Sequence, residues 1–224
     1  MIKNAIFDLD GTLVDSAGDI LGSLERAYYK AAGLENLPLG RSCIGPSLRE
    51  IIVGVTPDLP RDLVELVVQE YRRLYDQSDF NRSALYEGVY ETLCHLKENG
   101  IRLFLATNKP AIPTGKLLSK LNIELFEDVI TLDLAPGPAA GKEWMLEHLL
   151  RVHGLQKEET LFIGDTAGDI IGGRSCGVLT VAFLNGYGDR ESLLICQPDR
   201  AVERIRDILK LFGLSREAGE KEGR

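Results

Sequence analysis

Short apolar runs alternate along the chain with longer stretches in which apolar residues recur every three or four positions. Ile2–Phe7, Ile101–Ala106, Asp128–Leu132, Thr160–Ile163 and Val178–Ala182 read as strands. Helical spacing appears in Val89, Leu93 and Leu96, in Leu117, Leu118 and Leu121, and in Met145, Leu149 and Val152. The punctuation agrees with this alternation. Gly88 precedes one helical run, Pro110 opens another just after Asn108 and Lys109, and Gly100 and Gly154 stand where left-handed helix caps belong. Strand and helix in regular alternation predict a doubly wound α/β fold, a parallel sheet covered by helices.

One segment departs from the pattern. From about Ser16 to Arg82 no strand is evident, but three helical faces are. Ile20, Leu21, Leu24, Ala27, Tyr28 and Ala31 form the first, and Leu48, Ile51 and Ile52 begin a shorter second. Leu63, Leu66, Val67, Tyr71, Leu74 and Tyr75 form the third, after the turn signals Pro57 and Pro60. This stretch is too long for an ordinary strand-to-helix crossover. It reads as an inserted helical cap, 16–82, in a core built from 1–15 and 83–212. The polar residues 213–224 read as a flexible tail.

Composition narrows the function classes. The chain has 224 residues, with 26 Lys+Arg against 34 Asp+Glu, a formal net charge of −8. An acidic balance argues against nucleic acid or an anionic membrane surface as partner, since both attract basic faces. It leaves room for a small anionic substrate where local charges or a metal override the net charge. The cysteines Cys43, Cys94, Cys176 and Cys196 form no C-x-x-C pair, so they read as free thiols of a reducing compartment. No apolar stretch approaches the roughly 20 residues that span a bilayer, and Asp8 comes too early for a signal-peptide apolar region. The expectation is a cytoplasmic protein, a monomer or homodimer.

The chemistry-bearing residues fall at the predicted strand ends. Asp8 and Asp10 close the first strand in Phe7-Asp8-Leu9-Asp10-Gly11-Thr12, where a doubly wound sheet places its ligand crevice. Two carboxylates there suit a hard cation, a nucleophile and an acid/base group, although Asp-Gly-Thr is also an ordinary turn. Asp165 and Asp169, in Gly164-Asp165-Thr166-Ala167-Gly168-Asp169, follow another strand. Four carboxylates converging on one place demand a cation between them, and oxygen ligands without His or Cys point to magnesium rather than zinc. Helix capping accounts for one of these residues but not for all four. Thr107 and Asn108, before a helix start, form an anion-binding niche. Lys142 is a flexible ammonium able to balance phosphate and carboxylate charge.

These ordered motifs resemble the haloacid-dehalogenase-like superfamily of phosphohydrolases, and within it the phosphoglycolate-phosphatase-like group with a helical cap. The resemblance runs to about Leu211. It implies a magnesium-dependent phosphatase acting on a small phosphorylated metabolite through an aspartyl-phosphate intermediate. Asp8 would be the nucleophile and Asp10 the acid/base group. Thr107 and the backbone near Asn108 would hold the phosphoryl oxygens while Lys142 balances charge. Asp8, the Asp10 carbonyl and Asp165 would hold magnesium, with Asp169 acting directly or indirectly. The third motif departs from the common Lys-Pro form, reading Pro136-Gly137-Pro138-Ala139-Ala140-Gly141-Lys142, with Lys116 and Lys120 as the nearby alternatives.

Two further readings complete the expectation. Arg49, in the cap segment Gly45-Pro46-Ser47-Leu48-Arg49, is a candidate to grip a substrate carboxylate bidentately. His95, His148 and His153 share no metal-ligand spacing and read as helix-surface residues. Rival functions are a pyrophosphatase or a sugar phosphomutase of the same fold, the latter opposed by Thr12, and a non-enzymatic phosphoacceptor domain, opposed by the absence of an adjacent acidic pair. A dehalogenase is disfavoured because Asp10 supplies an acid/base group.

Overall fold

In the computed structural model, which describes residues 1–135, 137 and 141–214, each predicted apolar run becomes a strand with no end moved by more than two positions. In chain order the elements are β1 (Asn4–Phe7), β2 (Val14–Asp15), α1 (Ala17–Ala32), α2 (Leu48–Val55), α3 (Arg61–Asp76) and β3 (Ala84–Leu85). There follow α4 (Val89–Glu98), β4 (Arg102–Thr107), α5 (Ala111–Lys120), β5 (Asp128–Thr131), α6 (Lys142–His153) and β6 (Thr160–Gly164). The chain then forms α7 (Ala167–Cys176), β7 (Leu179–Phe183), α8 (Arg190–Ile195) and β8 (Arg200–Val202). Residues 215–224 of the expected tail, and Pro136 and Pro138–Ala140 of the third motif, lie outside the described residues.

The large sheet runs β5-β4-β1-β6-β7-β8, with every neighbouring pair parallel. Phe7 of β1 pairs with Leu105 of β4 on one side and Ile163 of β6 on the other. The chain winds outward from β1 through β4 to β5, then returns to β6 and winds the other way. Strand order therefore reverses around β1, and the carboxyl ends of β4, β1 and β6 border the crevice that such a reversal opens.

Successive strand residues send their side chains to opposite faces, as a pleated sheet must. Ala5, Phe7, Leu103, Leu105, Leu161 and Ile163 join one apolar cluster with Leu93, Leu96 and Leu117. Ile6, Phe104, Ala106 and Phe162 join the opposite cluster with Met145, Leu146 and Leu149 of α6. Both faces are covered by helices, so the strands read as nearly continuous apolar runs.

Two strand features escape the hydrophobic pattern. β8 is a mostly exposed edge strand without an apolar run. β2 and β3 are two residues each and pair antiparallel, Val14 with Leu85 and Asp15 with Ala84, where the chain leaves and re-enters the α/β part. Between them lie α1, α2 and α3. Leu24, Ala27 and Tyr28 of α1 pack in one buried cluster with Val64, Val67, Tyr71 and Tyr75 of α3. Tyr28 donates to the Ile52 carbonyl (3.1 Å), tying α1 to α2, and Ser47 with Glu50 forms a capping box at the start of α2.

The histidines lie on helices, as read from the sequence, but all are half-buried rather than fully surface residues. His153 packs on Phe104 and its Nε2 meets Asp128 Oδ2 at 2.8 Å, because the last turn of α6 faces the sheet edge. No described helix is long and apolar enough to cross a membrane.

Candidate active site

Asp8 is the first residue after β1, Asp165 the first after β6, and Asp169 lies in the first turn of α7. All three are buried, and each offers a carboxylate oxygen within 4.8 Å of the others. The local sequence explains how acidic groups fit so closely. Gly11 has φ +89°, and a Cβ there would lie 2.2 Å from Asp165 Oδ2; a Cβ on Gly186 would lie 2.2 Å from the Asp165 Cβ. With Asp165 so enclosed, Thr12 Oγ1 donates to its Oδ1 (2.8 Å) and the Tyr187 amide to its Oδ2 (2.7 Å).

Asp169 has two roles in one side chain. Its Oδ2 accepts from the Thr166 amide (3.0 Å) and hydroxyl (2.6 Å), closing a capping box at the start of α7. Its Oδ1 is buried and has no hydrogen bond among the described residues. The Lys142 ammonium stands 3.0 Å from that oxygen as an ion pair, without hydrogen-bond alignment. One ammonium is thus shared between two buried carboxylates, Asp8 and Asp169, and a further cation would relieve the remaining negative charge.

Lys142 opens α6 and reaches back across the sheet end, its side chain only 9% exposed. Its ammonium donates to Asp8 Oδ1 and to the Ala106 carbonyl (2.8 Å). The alternatives Lys116 and Lys120 are turned elsewhere, to the carbonyls of Asp76 and Asp79. Of the three lysines raised by the sequence, Lys142 alone meets the carboxylates.

Electrostatics separate these groups. Burial, then repulsion from Asp169 and Asp165, pushes the Asp8 carboxyl well above its usual range against the pull of Lys142. Burial and then Asp169 push Asp165 up to about 7. Burial alone would lower Lys142, but Asp169 and Asp8 together outweigh it and hold the ammonium charged. The described groups thus set the carboxylates Asp8, Asp10, Asp165 and Asp169 against the ammonium groups of Lys142 and Lys109. The imbalance fits a divalent cation, and the oxygen donors of Asp8, Asp165 and Asp169 suit a hard one.

Thr107 ends β4, buried beside β1, and its Oγ1 accepts the Lys109 amide (3.2 Å). Asn108 Nδ2 donates to the Gly45 carbonyl (2.8 Å), so this side chain ties the crevice to the helical insertion. Gly45 itself lies against Thr166, where a Cβ would approach Thr166 Cγ2 to 2.7 Å. The turn before α2 therefore borders the site.

Asp10 does not join the close carboxylate group. Its Oδ1 accepts from the Ser16 hydroxyl and lies 2.9 Å from the Lys109 ammonium. Lys109, with its side chain 2% exposed, also donates to the Tyr75 hydroxyl of α3 (2.6 Å). Sequence reasoning treated Lys109 only as part of a helix start. The available signal was its position directly after Thr107-Asn108, at the predicted strand end.

Arg49, the candidate grip for a substrate carboxylate, meets a carboxylate of the protein itself. Its guanidinium is bound by both oxygens of Glu65 on α3, and its side chain is 52% exposed. Packing of α2 on α3 brings this carboxylate within reach. Arg41 lies nearer the crevice: it pairs with Asp15 (2.7 Å) and stacks over the Tyr187 ring (5.8 Å). Tyr187 in turn accepts the amides of Ser16 (2.6 Å) and Ala17 (2.9 Å). Arg41, Ser16 and Tyr187 had no sequence pattern to announce them.

The chain can now be set beside known proteins. A family model described as haloacid dehalogenase-like hydrolase matches residues 5–183. A pyrophosphatase PpaX of Halalkalibacterium halodurans is 31% identical over 95% of this chain and 98% of its own length. A phosphoglycolate phosphatase of Photorhabdus laumondii is 31% identical over 95% of this chain and 93% of its own. The crystal structure of a predicted phosphoglycolate phosphatase from Haemophilus somnus superposes with a TM-score of 0.82 at 28% identity, covering 94% of this chain and 98% of that one. With the strand-end carboxylates, the reversal around β1 and a match over most of its length, the chain belongs to the haloacid dehalogenase-like hydrolase family.

Proposed function

We propose that this protein is a magnesium-dependent phosphatase that hydrolyses a small anionic phosphomonoester, of the phosphoglycolate kind, through an aspartyl-phosphate on Asp8. The observation that carries the reading is the buried carboxylate group Asp8, Asp165 and Asp169, with the single ammonium of Lys142 shared between Asp8 and Asp169. Asp8, Asp165 and the Asp10 carbonyl would hold the magnesium, with Asp169 beside it. Bound there, the cation supplies charge neutralisation between phosphate and carboxylates.

The chain's own residues then divide the work. Asp8 attacks phosphorus as the bond to the leaving oxygen breaks, and Asp10 gives that oxygen its proton. Asp10 next takes a proton from the water that attacks the phosphorus of the intermediate, releasing phosphate and freeing Asp8. Thr107 and the amides at the start of α5 orient the phosphoryl oxygens, and Lys142 balances their charge. Residues 16–82 would act as the cap, covering the crevice through the turn that holds Gly45, and Arg49 would have to leave Glu65 to reach a substrate.

Pyrophosphate is the second reading, favoured by the PpaX relatives, which are as similar as the phosphoglycolate phosphatases. Phosphate release across a panel containing 2-phosphoglycolate, sugar phosphates and pyrophosphate tests both. A kcat/KM for a carboxylated phosphomonoester at least tenfold above the others supports the first reading. Preference for pyrophosphate transfers the assignment, and turnover by Asp8→Asn at the wild-type rate refutes the mechanism.

A further inference from the structure

Lys109 is the most deeply buried charge near the site that the proposed chemistry leaves without a task. Its ammonium has partners on two sides. Towards the α/β part it lies 2.9 Å from Asp10 Oδ1; towards the insertion it donates to the Tyr75 hydroxyl at 2.6 Å and sits 4.6 Å from the centre of that ring. A lysine buried to this degree is retained only when it is paired, and here its carboxylate partner is Asp10.

Tyr75 is itself held firmly. It lies near the end of α3, stacks on Tyr71 at 5.1 Å and receives the edge of Phe80 at 5.2 Å. Its hydroxyl therefore stands at a defined place, and so does the ammonium bonded to it. Lys109 itself follows β4 by two residues, where the Thr107 hydroxyl accepts its amide (3.2 Å). Asp10, by contrast, lies in a turn after β1, and its carboxylate is tied down by Ser16 and Lys109. Ser16 lies only six residues further along the chain, at the start of α1, so Lys109 is the tie that anchors Asp10 to β4 and to α3 at once.

We infer that Lys109 is a positioning residue for the acid/base carboxylate Asp10, and that Tyr75 makes this positioning depend on how the helical insertion sits on the core. The inference rests on the assignment of Asp10 as proton donor to the leaving group. A positioned acid matters most when the leaving oxygen is a poor one. An alkoxide must take the Asp10 proton as the phosphorus–oxygen bond breaks, whereas a dinitrophenolate departs without it. Loss of positioning is therefore selective for leaving group, while general damage to the site is not.

The experiment compares Lys109→Met, Tyr75→Phe and Asp10→Asn on an alkyl phosphomonoester and on 2,4-dinitrophenyl phosphate, reading kcat/KM. That parameter ends with release of the first product, so slow hydrolysis of the intermediate does not enter it. Lys109→Met should lower kcat/KM for the alkyl ester by about a hundredfold, and by at least tenfold less for the dinitrophenyl ester. Tyr75→Phe, which removes one oxygen and keeps the ring, should show the same selectivity at about three- to tenfold. If Lys109→Met fails to fold, Tyr75→Phe carries the test. Equal losses on the two esters, or none in Tyr75→Phe when it stands alone, overturn the role of Lys109. Asp10→Asn separates the two failures. Selectivity in Asp10→Asn without selectivity in Lys109→Met overturns only the positioning assignment. No selectivity in Asp10→Asn refutes Asp10 as proton donor, and this inference with it.

Discussion

Replacing Lys142 with Met probes the electrostatic balance of the site most directly. The ammonium lies 3.0 Å from Asp169 Oδ1 and is bonded to Asp8, with 9% of the side chain exposed. Met keeps most of the apolar stem, so the loss is chiefly one of charge. Breaking a buried ion pair by removing one partner costs about 3–5 kcal/mol, because a carboxylate is left buried and uncompensated. Protonation limits that cost. Asp8 already sits well above its usual range and Asp165 at about 7, and both should rise further without Lys142. A carboxyl raised in the folded state favours folding below its unfolded pKa, and that advantage is lost as pH rises through the folded value. At pH 5.5 a proton can replace the ammonium at a cost of about 2 kcal/mol, since the unfolded group titrates near 4; at pH 8 protonation costs more than the buried charge itself. Lys142→Met should therefore lose about 3–5 kcal/mol at pH 8 but no more than about 2 kcal/mol at pH 5.5. Urea unfolding of both proteins in EDTA, followed by circular dichroism, measures the difference. A loss below about 1 kcal/mol at pH 8, or one equal at the two pH values, would refute the reasoning by showing that these carboxylates do not depend on Lys142.

The same balance predicts metal behaviour: EDTA should abolish turnover, magnesium should restore it, and calcium should substitute poorly because its looser coordination spoils in-line geometry. In EDTA the thermal midpoint should fall between pH 5.5 and 8, because Asp165, held at about 7, keeps a proton that the unfolded chain has already lost. Saturating magnesium should flatten that slope, and an unchanged slope would mean that no ion enters the carboxylate group. Asp8→Asn should block covalent phosphorylation by acetyl phosphate, whereas Asp10→Asn should form phosphoprotein and release it slowly, as a gain of about 80 Da in intact mass. Arg49→Ala should change kcat/KM less than about twofold and stability by less than about 1 kcal/mol, because its partner Glu65 is an exposed surface group; a tenfold loss confined to carboxylated substrates would return Arg49 to the site.

The amino-acid sequence alone determined the α/β order, the presence of three helical faces within 16–82, and the strand-end positions of Asp8, Thr107 and Asp165. These rest on local signals: apolar periodicity, turn residues, and the rule that a doubly wound sheet opens its crevice at carboxyl ends. It also supplied Lys142 as one candidate among neighbours, but the choice needed the reach of that side chain across the sheet end to Asp8 and Asp169, while Lys116 and Lys120 face other carbonyls. Arg49 shows the limit from the other direction: its residue type suited a carboxylate, and the carboxylate it found was Glu65, supplied by the packing of α2 against α3. Lys109, Tyr75 and Asp10 meet although they come from after β4, from α3 and from after β1. β8 and the β2–β3 pair are too short for any period to register. What only the tertiary structure decided is which charges share a buried place. Local pattern governs the conformation of a segment, whereas the partner of a buried charge is set by whichever distant segment packing brings within about 3 Å, and no periodicity along the chain encodes that distance.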